Sequence, residues 1–231
     1  MEFRKSEGLS VAALGLLGHT QLLDKPKLTA GLQALQISAL PAEQHIAQTA
    51  IDARLHHGAD PCTRAQAAAH EAGHVLVAHV LGERIKGARI ARQDDHGCAR
   101  WIGCAQYEAA HGMQLVHAAT NPELVLRSAA MNLAGFAGEE FAGLSHRASS
   151  VDERYKATAY CTAVAEAHGF ELDGVASAVH AYCIEVLTRN RPAFDVVRGH
   201  LYRSKRLHSH EAARMLARVA KVVPAWLGGK L

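Results

Sequence analysis

Aromatic residues are scarce in this chain of 231 residues: Phe, Trp and Tyr together make up 5% of it. Alanine, by contrast, recurs in almost every block of ten residues. Alanine loses no side-chain entropy in a helix and packs poorly on a pleated surface. The composition therefore argues against an all-β sandwich or barrel, and it predicts a mainly α-helical (α+β) fold with at most a small antiparallel sheet.

The chain also lacks a strong charge of either sign and a long apolar run. Its formal net charge of +3 is too mild to indicate a nucleic-acid or membrane-surface partner. The apolar run Leu9–Gly18 follows Arg4 and Lys5, as in a signal peptide, but no small-x-small cleavage site comes after it. The run is also shorter than the roughly 20 residues that span a bilayer. We predict an amphipathic N-terminal helix and no membrane span.

No C-x-x-C pair occurs, and the number of cysteines is odd. Both facts argue against a disulfide framework and against a ribbon-type zinc site. Reduced thiols in a cytoplasmic protein fit best. The five cysteines are Cys62, Cys98, Cys104, Cys161 and Cys183.

Prolines, glycines and turn residues divide the chain into two parts. Residues 1–60 contain two prolines and are predicted to be a helical N-terminal extension of unknown role, with a boundary near Gly58–Pro61. The rest, 61–231, is predicted to be one domain with a strand hairpin over 85–107. Its helices are predicted over 64–81, 122–141, 151–168, 172–190, 192–200 and 209–223.

The first helix of this domain contains the sequence H-E-A-G-H, and the chain as a whole has 16 histidines. A spacing of four residues places His70 and His74 on the same helix face, where both can bind one Zn²⁺. Glu71 then lies beside the metal and can accept a proton from metal-bound water. We predict His70 and His74 as metal ligands and Glu71 as the general base.

The ends and the middle of this helix are also informative. Thr63 and Gln66 form a capping-box pattern at its start, and Gly82 supplies a stop. Apolar residues on every side predict a buried, central helix. Gly73 lies in mid-helix, where glycine costs about 1 kcal/mol relative to alanine. A residue without a side chain would let another element approach the metal site closely.

A catalytic zinc needs a third protein ligand and one open position. His79 lies nine residues after His70, on the opposite side of the helix, and cannot supply that ligand. The acidic candidates farther along the chain are the pairs Glu139–Glu140 and Asp152–Glu153. Composition does not choose between these pairs.

The sequence Ala68–Ala78 resembles the zinc helix of the FtsH-type ATP-dependent metalloprotease family. Leu133–Glu140 is similar to that family's Leu-Gly-Gly-Arg-x-Ala-Glu-Glu helix, and Ile184–Phe194 to a helix near the family's C-terminus. Ser149–Thr158 resembles the Ala-Ser-Asn-Asp-Leu-x-x-Ala-Thr segment that carries the family's aspartate ligand. The likeness covers about residues 63–217 in order, and only the H-E-A-G-H block is individually specific.

The resemblance implies a zincin-like peptidase domain with Asp152 as the third zinc ligand, since the family uses a short carboxylate at the first turn of a helix. Counting back from Ala157–Thr158 by the family's spacing gives Glu153 instead. Glu139 and Glu140 would be surface acids or partners that orient a ligand histidine.

The chain has no G-x-x-x-x-G-K-[ST] phosphate loop, so we expect no ATPase module. The predicted protein is a soluble zinc endopeptidase that hydrolyses unfolded polypeptides without ATP, with a separate unfoldase or a homo-oligomer as further partners. The hairpin around Ala88–Arg92 could present an edge strand to the substrate. Two alternatives stay open: a non-catalytic zinc-binding adaptor module, and a hydrolase of another small amide.

Overall fold

A computed structural model of the protein describes residues 62–95, 98–108, 118–144 and 151–226. These residues are mostly helical, with one small three-stranded antiparallel sheet, so the predicted fold class is confirmed. The chain divides into two units between Gly58 and Ala59. The predicted helices of residues 1–60 lie outside the described residues. None of the described helices combines the length and the apolar character needed to cross a bilayer.

Six helices and three strands follow one another along the described chain. The helices are α1 (Arg64–Val80), α2 (Pro122–Phe141), α3 (Val151–His168), α4 (Leu172–Arg189), α5 (Arg191–Ser204) and α6 (Ser209–Leu216). The strands are β1 (Arg84–Asp95), β2 (Cys98–Glu108) and β3 (Arg206–His208).

Helix α1 begins and ends where the sequence predicts. The Thr63 hydroxyl accepts a hydrogen bond from the Gln66 backbone N–H at 3.2 Å, and the Gln66 side chain accepts one from the Thr63 N–H at 2.7 Å. After the helix ends, Gly82 adopts a φ of 88°, which glycine tolerates best. Every residue from 67 to 78 is buried, so α1 is the central helix of the domain.

Helices α1 and α2 cross at glycines. A Cβ atom at Gly73 would overlap the carbonyl oxygen of Ala134, and one at Gly138 would lie 2.5 Å from the carbonyl oxygen of Ala69. Only glycine at these two positions allows the backbones to approach so closely. The expectation that Gly73 admits a neighbouring element is therefore confirmed, and the element is α2.

The sheet has the strand order β2-β1-β3, so β1 is its central strand. Ala88 pairs with Ala105 of β2 on one side and with Leu207 of β3 on the other, and Arg89 is likewise flanked on both sides. The Ile90 N–H also donates to the Lys205 carbonyl oxygen, at 2.8 Å, so the expectation of an edge strand at Ala88–Arg92 is wrong for its first three residues. The reason is β3, a three-residue strand too short to leave a recognisable pattern in the sequence. The outer edge of β2 pairs with no other described strand.

The last predicted helix is shorter than expected. Helix α6 ends at Leu216 rather than at 223. Asn190, which is buried, accepts a hydrogen bond from the Ala220 backbone N–H at 2.7 Å and donates one to the Ala220 carbonyl oxygen at 3.1 Å. Both backbone groups of Ala220 are bound to this distant side chain, so they are not available to continue a helix.

Candidate metal centre

His70 and His74 lie one turn apart on the buried face of α1, and each is 7% exposed. Their Nε2 atoms are 3.1 Å apart, and their ring planes meet at 70°. The two imidazoles therefore direct the same ring nitrogen toward one point, as the four-residue spacing predicts.

A carboxylate from the first turn of α3 completes this group. Oε1 of Glu153 lies 3.1 Å from His74 Nε2, and its Oε2 lies 2.9 Å from His70 Nε2. One ligand atom from each of the three residues lies within 4.8 Å of the others, and the group could hold a metal ion. Glu153 is the alternative obtained by counting back from the alanine and threonine of α3. The Asp152 side chain lies outside the described residues, so its assignment stays a prediction.

Both histidines are oriented by α2 through their other ring nitrogen. His74 Nδ1 lies 2.9 Å from the Met131 carbonyl oxygen. A carbonyl can only accept, so Nδ1 carries the proton and, in a neutral ring, Nε2 presents a lone pair. His70 Nδ1 lies 2.7 Å from Oε1 of Glu139, which is fully buried. Such outer partners are what hold metal-binding histidines in place.

The two candidate acids on α2 therefore differ in role. Glu139 is the partner that orients His70. Glu140, the next residue, contacts His180 at 2.8 Å near the protein surface. Neither residue contributes one of the three converging ligand atoms. The contacts agree with the interpretation of Glu140 as a surface acid and of Glu139 as a partner that orients a ligand histidine.

The converging atoms fit a metal cation. With both rings neutral, two Nε2 lone pairs and a carboxylate meet at 2.9 to 3.1 Å with no proton among them, so a cation is needed to hold these acceptors together. Gly135 of α2 leaves the space beside them: a Cβ there would lie 2.6 Å from His74 Nε2 and overlap the His70 ring. Two imidazole nitrogens and one carboxylate oxygen are a donor set that Zn²⁺ accepts with an open fourth position.

The charges around the centre favour a cation as well. In the metal-free protein, protonated imidazoles take the place of the cation: burial alone would raise the pKa of Glu153, but the charge of His74 and hydrogen bonds from both imidazoles hold that pKa well below its ordinary range. Burial alone would lower the pKa of His74, but the Glu153 carboxylate raises it. Three carboxyl groups, those of Glu71, Glu139 and Glu153, lie around the two imidazoles. Their negative charge favours a cation at this position.

Glu71 lies between α1 and the outer strand β2, and it is 3% exposed. A Cβ at Gly103 would overlap its carboxylate, so β2 passes directly over this side chain. The backbone N–H of Ala105 donates a hydrogen bond to the carboxylate, while Oε2 is buried and has no described partner. Burial raises the pKa of Glu71, which makes it a stronger base than an exposed carboxylate.

Sequence reasoning missed Gly135, Gly103 and the Met131 carbonyl. The small residues of the segment 133–138 were a signal for close packing against α1, but they did not indicate which glycine faces the imidazoles. A main-chain carbonyl leaves no signal in a sequence at all, because every residue has one.

The chain matches no protein-family model, and it matches no curated protein. The resemblance to the FtsH-type family therefore depends on the sequence blocks described above.

Proposed function

We propose that this protein is a zinc-dependent metallopeptidase whose domain resembles the peptidase domain of the FtsH-type family. The observation that supports this proposal best is the convergence of the three ligand atoms of His70, His74 and Glu153 beside the buried Glu71 carboxylate. A metal site with an adjacent, partly unpaired carboxylate has the parts that hydrolysis by activated water needs.

His70, His74 and Glu153 would hold the zinc. When bound, zinc supplies Lewis acidity, which polarises a carbonyl group and lowers the pKa of water toward about 7. Glu139 and the Met131 carbonyl keep the Nδ1 protons of the two histidines in place, so that both Nε2 lone pairs point inward. Glu71 takes up a proton from the attacking water on its unpaired Oε2 and passes this proton on to the leaving amine. The Ala105 N–H holds the carboxylate in position.

The outer edge of β2 suits a polypeptide substrate. The N–H groups of alternate residues of an antiparallel strand point to the same side. The Trp101 N–H donates to the Cys62 carbonyl oxygen at 2.9 Å, which shows that this side faces away from β1. Gly103, two residues farther along, is exposed and touches Glu71. A substrate that pairs with β2 here would bring a peptide bond to the metal.

The test is metal analysis combined with a hydrolysis assay on an unfolded substrate such as casein. We expect one tightly bound zinc per chain and casein cleavage that stops when a chelator removes the metal. Replacing Glu71 by Gln should preserve the zinc and abolish turnover, because the amide cannot accept the proton. Carefully purified protein that contains no zinc would refute the proposal.

Zinc-loaded protein that cleaves nothing would instead support the adaptor alternative. Glu140→Gln is the matched control for Glu71→Gln. Both changes remove one carboxylate charge, but Glu140 lies on the surface away from the converging atoms, so its variant should keep full activity.

We further propose a cytoplasmic location, in line with the four described cysteines, which are all free. A separate unfoldase would supply unfolded chains, since this chain has no phosphate loop. Cleavage of a folded substrate only when an ATP-dependent unfoldase is added would support this part, whereas equal cleavage without one would refute it.

A further inference from the structure

A cluster of cations and aromatic rings lies about two helical turns along α1 from Glu71. We name it the Arg64 cluster, after Arg64, Trp101, Tyr202 and Lys205. The Arg64 guanidinium carbon lies 5.2 Å from the Trp101 ring centroid and 4.9 Å from that of Tyr202. Lys205 Nζ lies 5.7 Å from the Trp101 ring. Two cations thus share one indole ring.

These cations have no described anionic partner. Arg64 donates one N–H to the Arg203 carbonyl oxygen at 3.0 Å, and no ion pair joins Arg64 or Lys205 to a carboxylate among the described residues. The ion pairs described on the neighbouring strand β1 are all exposed and include neither cation: Arg84 and Lys86 with Glu108, and Arg92 with Asp94. Cations gathered without a counter-charge repel one another and attract an anion.

Lys205 occupies a backbone conformation that favours glycine. Its φ of 62° makes it the one non-glycine residue with a positive φ in the described ranges. At the end of α5 this conformation is usually taken by glycine, because other L-residues are strained there. Strained backbone is often retained at binding sites, and here it places the Lys205 ammonium group beside the Trp101 ring.

The cluster stands at a defined distance from the proposed general base. Arg64 and Glu71 are seven residues apart on α1, which places them on one face and about 10.5 Å apart along the axis. Trp101 and Gly103 share one face of β2 and are about 7 Å apart along the strand. An extended peptide covers these distances with two to three residues.

The outer edge of β2 is occupied on both sides of Gly103, because the Trp101 N–H is bound to Cys62 and the Ala105 N–H to Glu71. The Gly103 N–H, between them, is the group left for pairing on this part of the edge. A substrate strand that pairs at Gly103 therefore cannot continue past Trp101. Antiparallel pairing is slightly more stable than parallel pairing, and in that orientation the C-terminal side of the substrate points toward Trp101. The chemical group that ends a polypeptide on that side is a carboxylate.

We propose that the Arg64 cluster is a subsite that binds a carboxylate of the polypeptide substrate, two to three residues beyond the peptide bond that is cleaved. The α-carboxylate at the substrate's C-terminus is the group that the closed edge favours. An acidic side chain at the same distance offers the same chemistry. This inference rests on the proposed peptidase function and adds a preference for bonds near a C-terminus.

The test measures peptide binding without turnover. Zinc-loaded, full-length protein with Glu71→Gln is titrated into short peptides labelled with fluorescein at the N-terminus, and binding is followed by fluorescence anisotropy. One peptide ends in a free acid, a second is its C-terminal amide, and a third is the amide with Glu in place of Gln at the third residue from the end. We expect amidation to weaken binding about tenfold, as for the loss of one charge-assisted contact.

Lys205→Gly in the same background separates binding from folding. Glycine removes the ammonium group and relieves the positive φ, so the melting temperature should not fall. Binding of the free acid should weaken about tenfold, whereas binding of the amide should change less than about twofold. Lys86→Gln, at the other end of β1, is the matched control, and it should leave the binding of both peptides unchanged.

Each outcome decides between the possibilities. Weakening by amidation that disappears in Lys205→Gly identifies the α-carboxylate. A gain for the Glu-containing amide that disappears in Lys205→Gly identifies an acidic side chain. Equal binding of all three peptides, or no binding of any, overturns the subsite. Wild-type protein that binds as expected but cleaves no peptide refutes the peptidase function and leaves the subsite standing.

Discussion

The helix pair α1–α2 and the hairpin β1–β2 reach the candidate metal centre in different ways. The helix pair supplies side chains, and the histidines have buried partners on α2. The hairpin supplies mainly backbone: Gly103 lies against Glu71, the Ala105 N–H binds it, and neighbouring side chains such as Ile102 are exposed. Residue identity should therefore matter far more in the helix pair than on the outer face of the hairpin.

The largest expected effect is that of Gly135→Ala. Its methyl group would overlap the His70 ring and lie against His74 Nε2. We expect zinc affinity to fall by more than the 10- to 100-fold typical of losing an outer partner. The free energy of unfolding should fall by about 1–3 kcal/mol from overpacking. Metal titration and urea denaturation measure the two effects.

The control for this substitution is Gly174→Ala in α4. No atom lies within 4 Å of a Cβ built at Gly174. Alanine there should raise the free energy of unfolding by about 0.5–1 kcal/mol through helix propensity and leave zinc binding unchanged. Equal zinc affinity in the two variants would show that α2 does not shape the centre.

Glu139→Gln should have the next largest effect. The amide can still accept from His70 Nδ1, but it removes the negative charge that strengthens this contact. We expect zinc affinity to fall about 10- to 100-fold, measured by competition with a chelator. Glu140→Gln is the matched control, and if it lowers affinity as much as Glu139→Gln, the assignment of the orienting partner is wrong.

The pH dependence of stability should differ with and without zinc. In the metal-free protein the pKa of His74 is raised above 6.5, so its stabilising contribution is present below that value and is lost as the pH rises through the folded-state pKa. The pKa of Glu153 is lowered from 4.5, so its contribution is present above that value and is lost as the pH falls. The metal-free protein should be most stable between these two values.

Zinc affinity should rise with pH, because the imidazoles must be deprotonated to bind the metal. Urea denaturation at about pH 6 and about pH 8, with zinc and with a chelator, measures both trends. We expect a larger stabilisation by zinc at the higher pH. A stabilisation that is equal at both values would argue against imidazole ligands.

The smallest effect is expected on the hairpin. Ile102 is 43% exposed on the outward face of β2. Replacing it by Thr, which also favours strands, should change the free energy of unfolding by no more than about 0.5 kcal/mol and leave zinc affinity unchanged. A loss of zinc from this variant would contradict the contrast between the two regions.

The sequence predicted the parts of the fold that have a local cause. The capping pair Thr63 and Gln66 predicts the start of α1, and the prolines and glycines predict most helix ends. Strand β3 and the end of α6 were not predicted, because both depend on distant contacts, such as those of Asn190 with Ala220. Contacts between distant residues leave no periodic signal in the sequence.

The same distinction applies to the candidate site. The four-residue spacing in α1 predicts the convergence of His70 and His74, because both lie on one helix. Glu153 comes from another helix, and which carboxylate reaches the imidazoles depends on how α3 lies against α1. A shift of one residue turns a helix by about 100°, so sequence alone left Asp152 and Glu153 as alternatives.

The carbonyl oxygen that orients His74 has a consequence for engineering. Because this group belongs to the main chain of Met131, no substitution at that position deletes it. The support of His70 is a side chain and can be exchanged for weaker or stronger acceptors. Metal affinity in this protein should therefore be adjustable from the His70 side, while the His74 side stays constant through any set of point mutations that preserves α2.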